Sequence, residues 1–258
     1  MTNKKITLIG LGLFDEKDLT LRGLEEAKKA DKVFIELYTG KWHGNLENLE
    51  KLISKKIEIL SRKDLEENLS RLLEQAKTQN IAILVQGDPL IATTHIALIQ
   101  DAKKQGIKTR IIHSSSILSA IGETGLHIYR FGASVTIPFP EKTRGKLPES
   151  VYDVIRMNKA RNLHTLCLLD VIGEEEKYMS IKEAVKILLD IENKRKDGVF
   201  TEETEVVVFA RAGSEKPLIV YAKAKDIIDR DFGEPPAVLI VPGELHFTEK
   251  EYLERLLI

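Results

Sequence analysis

The chain is short of cysteine and of net charge, and each shortage closes a class of function. Cys167 is the one cysteine among 258 residues, so no internal disulfide can form and a bridge-stapled secreted scaffold is excluded. It lies in the apolar run over 163–169, where a thiol is more often inert core than nucleophile. Lys and Arg number 39 against 40 Asp and Glu, and a formal charge of −1 gives no field that would draw the protein to nucleic acid or to a membrane surface. Neither is expected as a partner. No apolar run reaches the roughly twenty residues that span a bilayer, and the opening residues 1–5, Met-Thr-Asn-Lys-Lys, carry no signal-peptide core. A cytoplasmic location is therefore expected. The six histidines stand at 43, 95, 113, 127, 164 and 246 without a close helical pair of the H-x-x-x-H kind, and no metal site is expected.

Three further devices are missing. The glycine pair Gly10 and Gly12 follows an apolar run, but a dinucleotide fingerprint needs a third glycine where Asp15 stands. Glu36, at the end of the next apolar run, mimics the ribose-binding acid of that motif and equally fits a solvated strand end. A phosphate loop ending in Gly-Lys-Ser/Thr is absent, and so is the G-x-S-x-G elbow of a serine hydrolase.

What is present is a pair of marked turns. Gly87-Asp88-Pro89 comes directly after the apolar run 81–85. Glycine there permits dihedrals closed to other residues and proline fixes its own φ, so the turn is stiff and suited to holding a ligand. The Gly10–Gly12 turn repeats the arrangement, and two such turns can converge on one crevice. Around them the pattern alternates: strands are predicted over 6–9, 32–37, 57–60, 81–85 and 107–112, with helices over 19–30, 46–54, 61–79 and 94–105. Ser61 three residues before Asp64 suggests a capping box opening the third helix. Strands separated by helices argue for a parallel sheet covered on both faces, with ligands at the carboxyl ends of its strands.

The pattern changes near His113, where Ser114, Ser115 and Ser116 precede a helical stretch, and the expected domains are 1–112 and 113–258. The serines fit helix capping and ligand contact about equally. In the second half helices are predicted over 150–159, 181–194 and near Leu253, with strands over 163–169, 205–210, 218–222 and 236–241. Strands adjacent without a helix between them imply antiparallel pairing, hence a mixed sheet. The proline-rich, charged stretch 136–148 is expected to loop over the surface and to face a substrate through Lys142, Arg144 and Lys146. His95 and His113 each follow a marked turn and fit capping, solvent exposure or ligand contact; His164 fits a satisfied core residue. Arg211, in the turn after 205–210, fits a substrate-side cation or a surface charge.

Several blocks together resemble the tetrapyrrole methylase superfamily and, within it, the diphthine synthase family. They are the segment from Gly10 through Leu24, the Gly87-Asp88-Pro89 turn continuing to His95, the serine segment 113–117, Thr124 to Gly132, Gly198 to Thr201, Ala210 to Ser214, Asp231 to Pro236 and Val241 to His246. The resemblance spans nearly the whole chain. It implies two α/β domains, a parallel sheet in the first and a mixed sheet in the second, in a homodimer that uses S-adenosylmethionine and no metal. It also implies methylation of the amino group on the modified histidine of translation elongation factor 2, a step of diphthamide biosynthesis, with a methylase of small tetrapyrroles and a non-catalytic binding module as rivals. Carried over by motif, the cofactor contacts fall on Leu13, Asp88, Ile91, Ser116, Ile117, Leu169, Ala212 and Ala237. At Ala237 a relative is expected to carry histidine, so only a backbone contact transfers there. No general base is implied by the motifs.

Overall fold

A computed structural model describes residues 4–256, so the first three residues of the N-terminal stretch lie outside it. The chain divides into two compact units, one of the residues up to Ala120 together with Ile172–Glu176, the other of Ile121–Val171 and Lys177 onward. The first unit holds β1 (Lys5–Gly10), α1 (Leu21–Lys29), β2 (Lys32–Glu36), α2 (Leu46–Ile53), β3 (Ile57–Leu60), α3 (Arg62–Glu66), α4 (Leu69–Ala76), β4 (Ile81–Val85), α5 (Ile96–Lys104), β5 (Lys108–Ile112) and α6 (Ile117–Ala120). Its strands are all parallel, in the order β3-β2-β4-β1-β5.

Alternation along these strands builds a core on each side of the sheet. Ile6 and Leu8 of β1, Phe34 of β2 and Ile81, Ile83 and Val85 of β4 pack on one side with Leu65, Leu72 and Leu98 from α3, α4 and α5. Ile9, Val33, Ile35, Ala82 and Leu84 pack on the other with Ala27, Leu49 and Ile53 from α1 and α2. Neighbours β1 and β4 therefore send their following helices to opposite faces. That makes their carboxyl ends the topological switch point of the sheet, the place where such folds bind ligands.

The predicted single helix over 61–79 is two. Ser61 and Asp64 do form a capping box, but Asn68 leaves helical geometry, and the N–H groups of Glu67 and Asn68 both turn back to the Lys63 carbonyl at 2.9 Å. Asparagine is a weak helix former, and the polar run Glu66-Glu67-Asn68 has no apolar face to hold it against the sheet.

The second unit holds β6 (Val135–Ile137), α7 (Glu149–Ala160), β7 (Thr165–Leu169), α8 (Ile181–Arg195), β10 (Glu205–Ala210), β11 (Leu218–Lys223), α9 (Ala224–Ile227), β12 (Ala237–Val241) and α10 (Phe247–Glu254), while β8 (Val171–Ile172) and β9 (Lys177–Tyr178) form a short hairpin whose turn belongs to the first unit. Its main sheet runs β11-β10-β12-β7-β6, antiparallel except for the β6–β7 pair. The expected surface loop 136–148 thus begins as an edge strand, with Ile137 and Phe139 buried in the core. Its Lys142 ammonium is engaged, donating to Asp170 Oδ1 at 2.7 Å and to the Val171 carbonyl at 3.1 Å.

Glu249 on α10 anchors this unit from inside. Its carboxylate is fully buried and accepts the N–H of His127 at 2.7 Å, the N–H of His246 at 2.7 Å, His164 Nε2–H at 3.0 Å and Arg130 Nη1 at 3.2 Å. His164 accepts the Gly243 N–H on its other nitrogen, which fixes the proton on Nε2. Burial holds His164 below the ordinary histidine range although Glu249 pulls it upward. Burial pushes Glu249 up, yet the His127 and His246 N–H groups and His164 together keep it below the usual carboxylate range. Both groups take up protons at higher pH in the unfolded chain, so their contribution is complete above about pH 6.5 and is lost on acidification, first through His164 and then through Glu249. Glu249→Ala should cost about 3–5 kcal/mol in urea unfolding, because it strands a buried histidine, an arginine and two N–H groups. A loss no larger than that of a surface substitution, about 0.5 kcal/mol, would contradict this account.

Candidate functional site

At the switch point the two marked turns are joined by backbone. Leu11 N donates to the Val85 carbonyl at 2.8 Å, extending the β1–β4 pairing past its last register. Beyond it Gly12 and Gly87 exchange hydrogen bonds, Gly87 N to Gly12 O at 2.8 Å and Gly12 N to Gly87 O at 3.2 Å. A Cβ at Gly10 would lie 2.5 Å from the Gly87 oxygen and 2.7 Å from Ser114 Cβ. That position admits only glycine. Gly87 needs glycine for another reason, its φ of +68°, and the space beside its α-carbon is open to within 3.8 Å of Ser116.

Asp88 ties this platform to the end of β5. Its buried carboxylate accepts His113 Nδ1–H at 2.7 Å and Ser114 N–H at 3.2 Å on one oxygen, and Leu90 N–H at 3.0 Å on the other. It does tie its own turn, and it also draws the serine segment in. The hydroxyl that closes the following short helix belongs to Ser119, which accepts from Ser116 N at 3.1 Å and donates to Ser116 O at 2.8 Å. Leu13, Ile91 and Ile117 stand beside these three segments half-buried, while Ser116 is buried. The first unit thus brings together the turns that carry Leu13, Asp88, Ile91, Ser116 and Ile117.

The other three candidates gather in the second unit. Leu169 ends β7, Ala237 begins the antiparallel neighbour β12, and Ala210 at the end of β10 pairs with Ala237. Arg211 N donates to the Pro236 carbonyl at 2.8 Å, which sets Ala212 at the same end of the sheet. Leu169, Ala212 and Ala237 therefore share one rim. Arg211 Nη1 donates to the Phe232 carbonyl and to the Glu234 carbonyl, which ties the guanidinium to the segment before the paired prolines.

Comparison with known proteins gives the family. Residues 5–228 match the family model of tetrapyrrole (corrin/porphyrin) methylases. A diphthine synthase of Methanocaldococcus jannaschii is 50% identical over 254 residues, covering 97% of this chain and 98% of the relative. Another from Methanococcus maripaludis is 45% identical over 252 residues, covering 97% of this chain and 98% of the relative. The chain belongs to the diphthine synthase family of tetrapyrrole methylases. A crystal structure bearing that enzyme's name from Entamoeba histolytica superposes with a TM-score of 0.89 at 39% identity, covering 99% of each chain. This methylase is a methyltransferase dependent on S-adenosylmethionine.

The open space beside Gly87, the exchanged glycine pair and the half-buried Leu13, Ile91 and Ile117 offer bare backbone next to apolar side chains. That combination suits a flat adenine ring, which needs close approach to backbone and an apolar bed. Among the described residues no three His, Cys, Asp or Glu side chains are grouped to hold a metal ion. Cys167 is fully buried, with its thiol pushed up to about 12 by that burial, which makes it core.

Beside the switch point the methylase carries a polar corner that sequence patterns did not reveal. Glu36 is fully buried rather than solvated, and His95 is 3% exposed. Glu36 accepts Thr39 Oγ1–H at 2.6 Å and Thr39 N–H at 3.3 Å, and burial pushes its carboxyl up. His95 Nδ1 donates to the Pro89 carbonyl at 3.1 Å, so the ring hangs from the Gly-Asp-Pro turn. The one available signal was their position, since Glu36 ends an apolar run and His95 follows that turn. His113, by contrast, keeps a largely exposed ring while bonding Asp88.

Asp88→Ala removes three anchors at once. Stability should fall by about 1–3 kcal/mol, and S-adenosylmethionine should bind at least about tenfold more weakly in calorimetric titration, since the serine segment loses its tie to the turn. Unchanged affinity in a variant that is measurably less stable would separate the turn from the donor.

Proposed function

We propose that the chain methylates the amino group of 2-(3-carboxy-3-aminopropyl)-histidine on translation elongation factor 2, a step of diphthamide biosynthesis, acting as a cytoplasmic homodimer with S-adenosylmethionine as methyl donor. The observation that carries this is the 50% identity to a protein named diphthine synthase across 97% of the chain. The donor contacts are assigned to Leu13, Asp88, Ile91, Ser116 and Ile117 of the first unit and to Leu169, Ala212 and Ala237 of the second. The balanced charge of 39 basic and 40 acidic side chains supports a reading without nucleic acid or membrane.

The donor supplies an activated sulfonium methyl group. What remains for the protein is alignment of an amine and exclusion of water, not strong acid or base chemistry. The stiff Gly87-Asp88-Pro89 turn and its bonds to Gly12 and Ser114 provide the fixed surface that alignment requires. Arg144 and Lys146, exposed beyond the buried Phe139 anchor, are assigned to docking the protein substrate.

Incubation with methyl-labelled S-adenosylmethionine and either elongation factor 2 bearing the precursor or a precorrin tests the assignment. Label should enter the elongation factor. Transfer to the precorrin instead would favour a tetrapyrrole methylase, and donor binding without transfer to either would favour a binding module. The double variant Arg144→Ala, Lys146→Ala should raise KM for the elongation factor about tenfold while leaving donor affinity unchanged; an unaltered KM removes the docking assignment.

A further inference from the structure

Five buried side-chain polar atoms lack a hydrogen-bond partner among the described residues: Tyr38 Oη, Trp42 Nε1, Arg62 Nε, Gln86 Oε1 and His95 Nε2. All five belong to the first unit. Each stands in a segment that leaves the carboxyl end of β2, β3 or β4, three neighbouring strands next to the donor turns. Trp42 packs with the core on the other face of the sheet from Tyr38, but Tyr38, Arg62 and His95 gather around Glu36 and the helix of Arg62. Native interiors satisfy such atoms almost without exception, so this grouping of three points to something that completes them.

The atoms divide by chemistry. Pro89 O can only accept, so His95 carries its proton on Nδ1, and in the neutral ring Nε2 presents a lone pair. Nε2 stands 3.9 Å from Glu36 Oε1. That is too far for a bond between them, but one donor nitrogen about 3 Å from each would satisfy both. Tyr38 and Arg62 supply donors instead; the guanidinium carbon lies 5.3 Å from the centre of the tyrosine ring, and Arg62 Nε faces the Glu174 carboxylate at 3.9 Å, an ion pair too long to be a hydrogen bond. Burial first, and then the Glu36 charge, pushes the Tyr38 hydroxyl up, which keeps it a protonated donor. Thr94 Oγ1 donates to Glu66 on the same helix as Arg62 at 3.3 Å, joining that helix to the His95 segment.

We infer that this corner is the acceptor site of the methylase: His95 Nε2 and Glu36 receive the substrate amine, and Arg62 and Tyr38 hold the carboxylate carried on the same carbon. The inference rests on the elongation-factor reading, whose acceptor ends in such an amino acid group. In the transfer the amine lone pair forms the new N–C bond while the methyl carbon's bond to sulfur breaks, its electron pair leaving on a neutral thioether. The nitrogen, now ammonium, passes its surplus proton to His95 Nε2. The imidazolium keeps its Nδ1 proton on Pro89, and the Glu36 carboxylate offsets the charge until the proton reaches water. Because Pro89 belongs to the donor turn, the base is fixed relative to the donor by a single hydrogen bond.

His95→Asn separates the two ring nitrogens, since an asparagine amide can still donate to Pro89 while nothing replaces Nε2. Its kcat on elongation factor 2 bearing the precursor should fall about 100-fold, with the Kd for S-adenosylmethionine within about twofold of wild type. Glu36→Gln should lower kcat in the same direction. Tyr38→Phe deletes a hydroxyl that the fold itself does not bind, and should raise KM for the acceptor about tenfold with kcat retained. A His95→Asn enzyme within about threefold of wild-type kcat, or an unchanged KM in Tyr38→Phe, would overturn the inference. If His95→Asn does not fold, Tyr38→Phe alone decides. A wild-type protein inert toward the elongation factor defeats the functional reading and this inference with it, whereas active wild type with indifferent variants defeats the inference alone.

Discussion

The Asp88 carboxylate joins two segments that no strand pairing holds together. Leu90 N lies in its own turn, whereas His113 and Ser114 follow β5 on the far side of β1. A buried carboxylate must find donors or become costly to keep, and here every donor it finds belongs to a loop that leaves a carboxyl end. The close approach of Ser114 to Gly10, the glycine exchange across β1 and β4 and the seating of Ser116 all presuppose that the three loops stay in register. A carboxylate with backbone N–H partners is well suited to this, because it constrains direction as well as distance.

Topology places the chemistry before any side chain refines it. Since β1 and β4 send their helices to opposite faces, the space above their ends is left uncovered by either connection. The same neighbourhood holds the buried polar corner above β2, β3 and β4, reached through the carbonyl of Pro89. One proline thus serves two surfaces, fixing the turn that carries Asp88 and accepting from both His95 and Thr93.

Much of this was legible in the residues. Strand runs such as 57–60, 81–85 and 205–210 coincide with the observed strands because their apolar content and bounding turns are local properties. The Ser61 capping box and the inert setting of Cys167 were readable for the same reason. Burial of a polar side chain is not local. Glu36 looks the same at a solvated strand end as beneath a histidine, and only the packing of the loop after β4 over β2 decides between them. Likewise the meeting of Leu169, Ala212 and Ala237 depends on antiparallel register among strands far apart in sequence. The break at Asn68 and the edge strand at 135–137 turned on single weak helix formers and single buried side chains, which periodicity averages away.

Glu249 satisfies groups on residues 127, 130, 164 and 246, and it comes after all of them in the chain. During synthesis the donors on residues 127, 130 and 164 emerge from the ribosome long before the carboxylate does. The strand that follows His164 can pair with its neighbours, yet the imidazole beneath it stays without its hydrogen-bond acceptor until the last helix is made. The second unit is therefore finished from its distal end, and a chain halted just short of that helix leaves His164 and Arg130 without the acceptor they share.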